Sequence, residues 1–157
     1  MSRVVAWFSC GAASAVAAKL VLEKYGSRAH VVYCDTLASE HPDNRRFFVE
    51  CERWFGRPIE VIRSDEYANV DDVFERRRYM SGQDGAVCTV KMKKLPREAW
   101  QRESDTHVFG YTLEEQVRAE KFERNNPALP PDIDGPDDDI DCGPVCQMPL
   151  WPREAST

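Results

Sequence analysis

Long apolar runs are missing from this sequence: none approaches the roughly 20 residues that a membrane-spanning helix requires, so no membrane partner is expected. A basic surplus is missing too. The formal net charge is −6, so the broad positive field that makes duplex nucleic acid a default partner is absent. The familiar phosphate-binding signatures are also lacking. There is no Gly-Lys-Ser or Gly-Lys-Thr and no Gly-x-Gly-x-x-Gly, and neither a P-loop NTPase nor a dinucleotide fold is supported. The opening Met-Ser-Arg and Val4 to Phe8 fall short of the roughly 7 to 15 apolar residues of a signal-peptide core, with no small-residue cleavage site after them. The expected compartment is the cytoplasm.

What is present suits one globular domain with a real core: 157 residues, 42% hydrophobic and 31% charged. Most of the six cysteines are expected as free thiols, since a reducing compartment keeps no disulfides, with Cys88, Cys142 and Cys146 left open. Cys10, Cys34 and Cys51 read as small buried hydrophobes. The composition breaks near Asn125. Residues 126–157 hold seven of the ten prolines and seven acids against one base, leaving twenty acids and twenty bases before them. Residues 1–125 are therefore expected to form the domain, and 126–157 a Pro/Asp-rich, cysteine-containing, loosely ordered extension.

Before that break, short β-rich apolar runs alternate with helical stretches. Strands are predicted over 3–8, 30–34, 58–63 and 106–109, and helices over 13–25, 42–55, 71–80, 95–102 and 112–124. The alternation predicts an α/β fold with a doubly wound, largely parallel sheet in the order 3-2-1-4 and room for a fifth strand. The first strand runs into Ser9-Cys10-Gly11-Ala12-Ala13-Ser14 and then a helix, so small residues fill the whole turn. Such a turn makes an anion site: Gly11 permits close approach, the free amides of the helix start point outward, and Ser9 and Ser14 add hydroxyls. The alternative is that small residues merely let a helix pack tightly on the sheet.

Several other groups compete for a role. Cys88-Thr89-Val90-Lys91-Met92-Lys93-Lys94 is expected as a loop opening a helix at Leu95-Pro96, where Lys91 and Lys93 grip phosphate or lie on a solvated surface. Cys88 beside them is a candidate reactive thiol, since positive neighbours favour a thiolate. Arg76-Arg77-Arg78 reads as a solvated helix end. Glu115 and Arg118, three apart on one helix face, reach a ligand together or pair with each other. His41 beside Glu40 reads as a surface histidine. Cys142-Gly143-Pro144-Val145-Cys146 is at most half of a four-ligand metal site, and no metal is assigned.

Trp7 to Ser14 resembles the Ser-Gly-Gly-x-Asp-Ser loop of the PP-loop superfamily, the adenine nucleotide α-hydrolase-like proteins, and especially its phosphoadenylyl sulfate reductase branch. Cys34-Asp35-Thr36 is similar to the Asp-Thr after that branch's second strand. Gly110 to Arg118 resembles its Gly-x-Arg-x-x-Glu/Gln-Ser-x-x-Arg segment, and the likeness spans about residues 3 to 125. Three positions depart from the pattern: Cys10 stands for a glycine, Ala13 for the loop aspartate and Thr112 for an arginine.

The resemblance implies a Rossmann-like sheet that binds an adenine nucleotide through Ser9, Cys10, Gly11, Ala12, Ser14, Asp35, Thr36, Lys91, Lys93, Gly110 and Arg118. That nucleotide would be phosphoadenylyl sulfate, adenosine bisphosphate or ATP, with Mg2+ if ATP is used. Asp141-Cys142-Gly143 is similar to the start of the branch's C-terminal Glu-Cys-Gly-Leu-His, without the histidine. This implies Cys142 as nucleophile toward the sulfonate, with Cys146 or a thioredoxin-like partner resolving the product. ATP pyrophosphatase chemistry and binding without catalysis are the alternatives, and a homodimer stays open.

Overall fold

The computed structural model describes residues 2–82, 85–125 and 145–149. Its elements in chain order are β1 (Val4–Phe8), α1 (Ala12–Tyr25), β2 (Ala29–Cys34), α2 (Asp43–Phe55), β3 (Glu60–Ile62) and α3 (Val70–Arg77). These are followed by β4 (Ser81–Gly82), β5 (Gly85–Ala86), α4 (Val87–Thr89), α5 (Leu95–Trp100), β6 (Thr106–Tyr111), α6 (Gln116–Asn125) and β7 (Val145–Pro149). The chain is α/β, with the parallel strands β3, β2, β1 and β6 neighbours in that order and β7 beyond β6. It divides into two compact units, 1–31 with 104–157 and 32–103, the first crossing lying within β2.

In the first unit, every residue of β1 is buried, as a strand covered on both faces must be. β1 pairs in parallel with β6 from Val4 opposite Thr106 to Trp7 opposite Phe109. A bidentate ion pair fixes that register at its start. Arg3 Nε and Nη2 donate to the Asp105 carboxylate at 2.9 and 2.6 Å, and Thr106 N–H donates to the Arg3 carbonyl. Two residues along, Trp7 Nε1 donates to His107 Nδ1 at 3.0 Å and the rings stack. The alanines of α1 cost little entropy in a helix, and Ala15, Ala17, Ala18 and Val21 form its buried face. The helix stops at Gly26, whose φ of 55° lets its N–H turn back to the Leu22 carbonyl.

In the second unit, the end of β2 pairs in parallel with β3, Val32 opposite Glu60 and Cys34 opposite Ile62. The amphipathic α2 buries Phe48, Cys51 and Phe55 and ends at a left-handed Gly56. Tyr33 meets Phe48 edge-on, with ring centroids 5.4 Å apart. Asn69 caps α3 by accepting the Asp72 N–H at 2.9 Å. A small core of Tyr67, Val73 and Met92 gathers α3 and the stretch after α4, with Val70, Val87 and Cys88 packed around it.

Two expectations change. Residues 88–94 are not a loop: the chain is helical from Val87 through a turn of π-helix, Val90–Lys94, into α5. Lysine, methionine and leucine are good helix formers, and the break expected at Pro96 is absorbed by the wide turn, where Leu95 N–H reaches five residues back to Val90. The second change concerns the stretch after Asn125. Residues 126–144 and 150–157, Cys142 among them, lie outside the described residues, while Val145–Pro149 runs beside β6 as a fifth parallel strand. Among the described residues no helix is long and apolar enough to cross a membrane.

Candidate functional site

The turn between β1 and α1 is organised by one buried hydroxyl. Ser14 Oγ accepts the Ser9 N–H at 3.0 Å and the Gly11 N–H at 3.4 Å, donates to the Gly11 carbonyl at 2.9 Å and lies 3.2 Å from Ser9 Oγ. Ser14 thus shapes the loop through its own hydroxyl. The backbone freedom expected of Gly11 also falls elsewhere. Gly11 is extended (φ −112°), whereas Cys10, buried, takes a φ of 57°, the left-handed region that favours glycine. An added Cβ on Gly11 would meet nothing closer than Ser9 Oγ at 3.8 Å, so its surface is open. Ser9 and Ala12 are exposed, and the first turn of α1 leaves its amides without intrahelical acceptors.

The resembling segment on β6 meets this loop within the same unit. A Cβ on Gly110 would stand 2.4 to 2.6 Å from the backbone of Ala13 and Ser14, so only glycine lets β6 come this close to the start of α1. Past β6, Thr112 N–H donates to Glu115 Oε2 at 3.1 Å, and Arg118 Nη1 donates to Glu115 Oε1 at 2.9 Å. The Thr112 amide, then Arg118, hold the Glu115 carboxyl below its usual range. Arg118 thus pairs with Glu115 on an exposed helix face, the second of its two expected roles. Cys146 lies within β7 opposite Val108, two register positions short of Gly110.

The remaining predicted site residues belong to the second unit. Asp35 accepts Arg63 Nε at 2.8 Å, and the buried Thr36 hydroxyl donates to Glu40 Oε1 at 2.5 Å beside Tyr33 Oη. Both are engaged in closing the turn after β2. Lys91 Nζ stands 3.5 Å from Glu66 Oε2, while Lys93 is exposed and its carbonyl accepts the Cys34 thiol. Burial pushes that thiol up to about 11 against the pull of Lys93 and Arg97, which makes Cys34 a poor nucleophile. A cleft of about 450 Å³ lies at the carboxyl end of β3, with Arg63, Glu66, Lys91, Pro96 and Trp100 in its walls.

Sequence reasoning did not find this cleft, nor the group of Glu66, Tyr67, Arg76 and Arg77 beside it. The signal lay in the triple arginine, of which Arg76 and Arg77 converge on Tyr67 once α3 folds back on the loop before it. Among the described residues no three His, Cys, Asp or Glu side chains are placed to hold a metal ion. No family model, curated protein or solved structure matches the chain.

Proposed function

We propose that the chain binds an adenine nucleotide in the manner of the PP-loop proteins, with a phosphate seated on the loop from Ser9 to Ser14. One observation carries this reading: Cys10 stands where that loop has a glycine and adopts a left-handed backbone, φ 57°. A non-glycine residue held in this region is strained, and such strain persists where a site requires the shape. The amides of Ala12 and Ala13 would hold the phosphate, helped by the positive end of α1, and the Ser9 hydroxyl would turn to it from Ser14 Oγ, to which it donates in this structure. The reading takes the sheet as the Rossmann-like, doubly wound arrangement with order 3-2-1-4.

Catalysis by sulfonate reduction is the extension of the same proposal. The Cys142 thiolate would attack the sulfur of phosphoadenylyl sulfate, forming a cysteine thiosulfonate and expelling adenosine bisphosphate. A second thiol, Cys146 or a thioredoxin-type reductant, would then attack the Cys142 sulfur, release sulfite and leave a disulfide. The backbone of Cys146 is held in the body of a strand pair, away from the carboxyl edge where the loop lies. That leaves the resolving step to the thioredoxin-type reductant, and Ala13 in the aspartate position weighs against pyrophosphate cleavage.

Calorimetry with ATP, adenosine bisphosphate and phosphoadenylyl sulfate tests the proposal. The parent should bind at least one of them, and Gly11→Val, whose side chain has room within the protein, should stay folded and lose binding. Binding as tight in the variant as in the parent would sink the loop reading. Sulfite release with a thioredoxin-type reductant, or pyrophosphate release from ATP, would replace passive binding by the corresponding reaction.

A further inference from the structure

The cations around Tyr67 belong wholly to the second unit. Tyr67 is 4% exposed, its ring fixed by Val73 and Met92, so its hydroxyl has a defined position. Three cations surround it: the Arg76 guanidinium 4.5 Å from the ring centroid, that of Arg77 at 5.8 Å and the Lys91 ammonium at 5.9 Å. Arg77 Nε donates to Tyr67 Oη at 2.6 Å, and Arg76 Nη1 donates to the Glu66 carbonyl at 2.6 Å. Among the acids near this group are Glu66, Asp72, the latter 3.5 Å from Arg76, and Asp65, which lines the adjoining cleft together with Arg63.

Glu66 occupies the centre of the cluster without filling it. Its two oxygens lie 3.3 Å from Arg77 Nη2 and 3.5 Å from Lys91 Nζ, long for charge-assisted contacts, which settle near 2.7 to 2.9 Å. Where an arginine in this chain has a well-fitted partner, the distances fall in that range: Arg46 reaches Asp43 at 2.7 and 2.8 Å. The Tyr67 hydroxyl, followed by Lys91 and Arg77, holds the Glu66 carboxyl below its usual range, so an anion occupies the position at neutral pH. The Glu66 side chain is 47% exposed, on the segment joining β3 to α3, and little opposes its swinging out. Glu66 and Lys91 also line the cleft that continues past Pro96 to Trp100.

We propose that Tyr67, Arg77 and Lys91 form a binding site for the dianionic head of a phosphate monoester, that Glu66 occupies it in the ligand's absence, and that the ester's aromatic body lies in the cleft toward Trp100. A tetrahedral dianion brings three acceptor oxygens and a second charge, which suits three convergent donors better than a carboxylate. Arginine's planar fork and the lysine ammonium are the usual recognisers of such groups. Glu66 is then a built-in competitor that keeps weak anions out.

The experiment titrates the full chain with phenyl phosphate, phenyl sulfate, inorganic phosphate and uncharged phenol by calorimetry at pH 7.5 and low salt. Phenyl phosphate should bind more tightly than inorganic phosphate and than phenyl sulfate, which has the same shape with one charge fewer, and phenol should not bind. Glu66→Gln should tighten phenyl phosphate on the order of tenfold, the worth of one charge-assisted contact no longer contested, and Arg77→Gln should weaken it by a similar factor. Glu66→Asp, whose shorter carboxylate withdraws from Arg77 and Lys91, should fall between parent and Glu66→Gln and serves should the glutamine variant fold poorly. Glu66, Tyr67, Arg77 and Lys91 all belong to the second unit and none is part of the loop from Ser9 to Ser14, so loss of the nucleotide reading leaves this site standing. No binding of phenyl phosphate by parent and Glu66→Asp, phenyl sulfate bound as tightly as phenyl phosphate, weaker binding in Glu66→Gln, or an unchanged Arg77→Gln would overturn the proposal.

Discussion

Gly110 and Gly11 illustrate how two glycines flanking one loop come to have opposite tolerances. A methyl group on Gly110 would press into the carbonyl of Ala13 and the amide of Ser14, and backbone atoms at a helix start cannot move aside singly. Gly110→Ala is expected to cost about 1 to 3 kcal/mol, the usual range for overpacking. Gly11→Ala is expected to change stability by no more than about 0.5 kcal/mol, since its nearest neighbour is 3.8 Å away and its φ of −112° suits any residue. Urea melts of the two variants test the pair, and equal destabilisation would show that the loop does not rest on β6. The position of the loop was legible in the sequence from its run of small residues after a strand. The division of labour within it was not, because a serine hydroxyl beside a helix start can face a ligand or its own backbone, and only the folded geometry chooses.

At the level of elements, the clearest local device is the turn into α6, where Thr112 and Glu115 cap the helix start reciprocally. Because the Glu115 carboxyl is held below its ordinary value, its contribution is present above the unfolded carboxylate range near pH 4.3 and is lost as pH falls through the lowered folded value. Glu115→Gln should therefore be less stable than the parent at pH 7 by about 0.5 kcal/mol, a modest figure for a group this exposed, and the gap should close on acidification. Thermal melts from pH 3 to 7 measure it; a gap independent of pH would mean the carboxylate charge has no part in the cap. The helices and the four parallel strands were legible because each is a periodic or β-rich run with a glycine, proline or capping residue at its boundary. The two-residue strands β4 and β5 are too short to show any alternation. β7 was hidden by its proline- and aspartate-rich setting, and the π turn by a lysine run that reads equally as loop.

Across the whole molecule, the first unit is assembled from the two ends of the described chain, and the Arg3–Asp105 pair joins them. The Asp105 side chain is fully buried and that of Arg3 is 16% exposed. Removing one partner of such a pair leaves the other charge uncompensated, so Asp105→Ala is expected to cost about 3 to 5 kcal/mol, a large part of a typical domain's stability. Chemical denaturation gives the value, and a loss below about 1 kcal/mol would show the pair to be dispensable. The α/β class and the site's neighbourhood could be inferred from local patterns, while this long-range pairing could not, because a lone arginine and a lone aspartate a hundred residues apart carry no periodic signal.

The pairing of Val4 with Thr106 also has a consequence for how the chain is made. A ribosome adding about 5 to 20 residues per second needs roughly 5 to 20 seconds to pass from one strand to the other. For that interval one edge of the apolar Val-Val-Ala-Trp-Phe strand has no native neighbour, while residues 32–103 are contiguous and can become compact on their own. The nascent chain is then most vulnerable to association through its first strand, and that vulnerability ends only when Thr106 to Tyr111 emerges to take its place beside it.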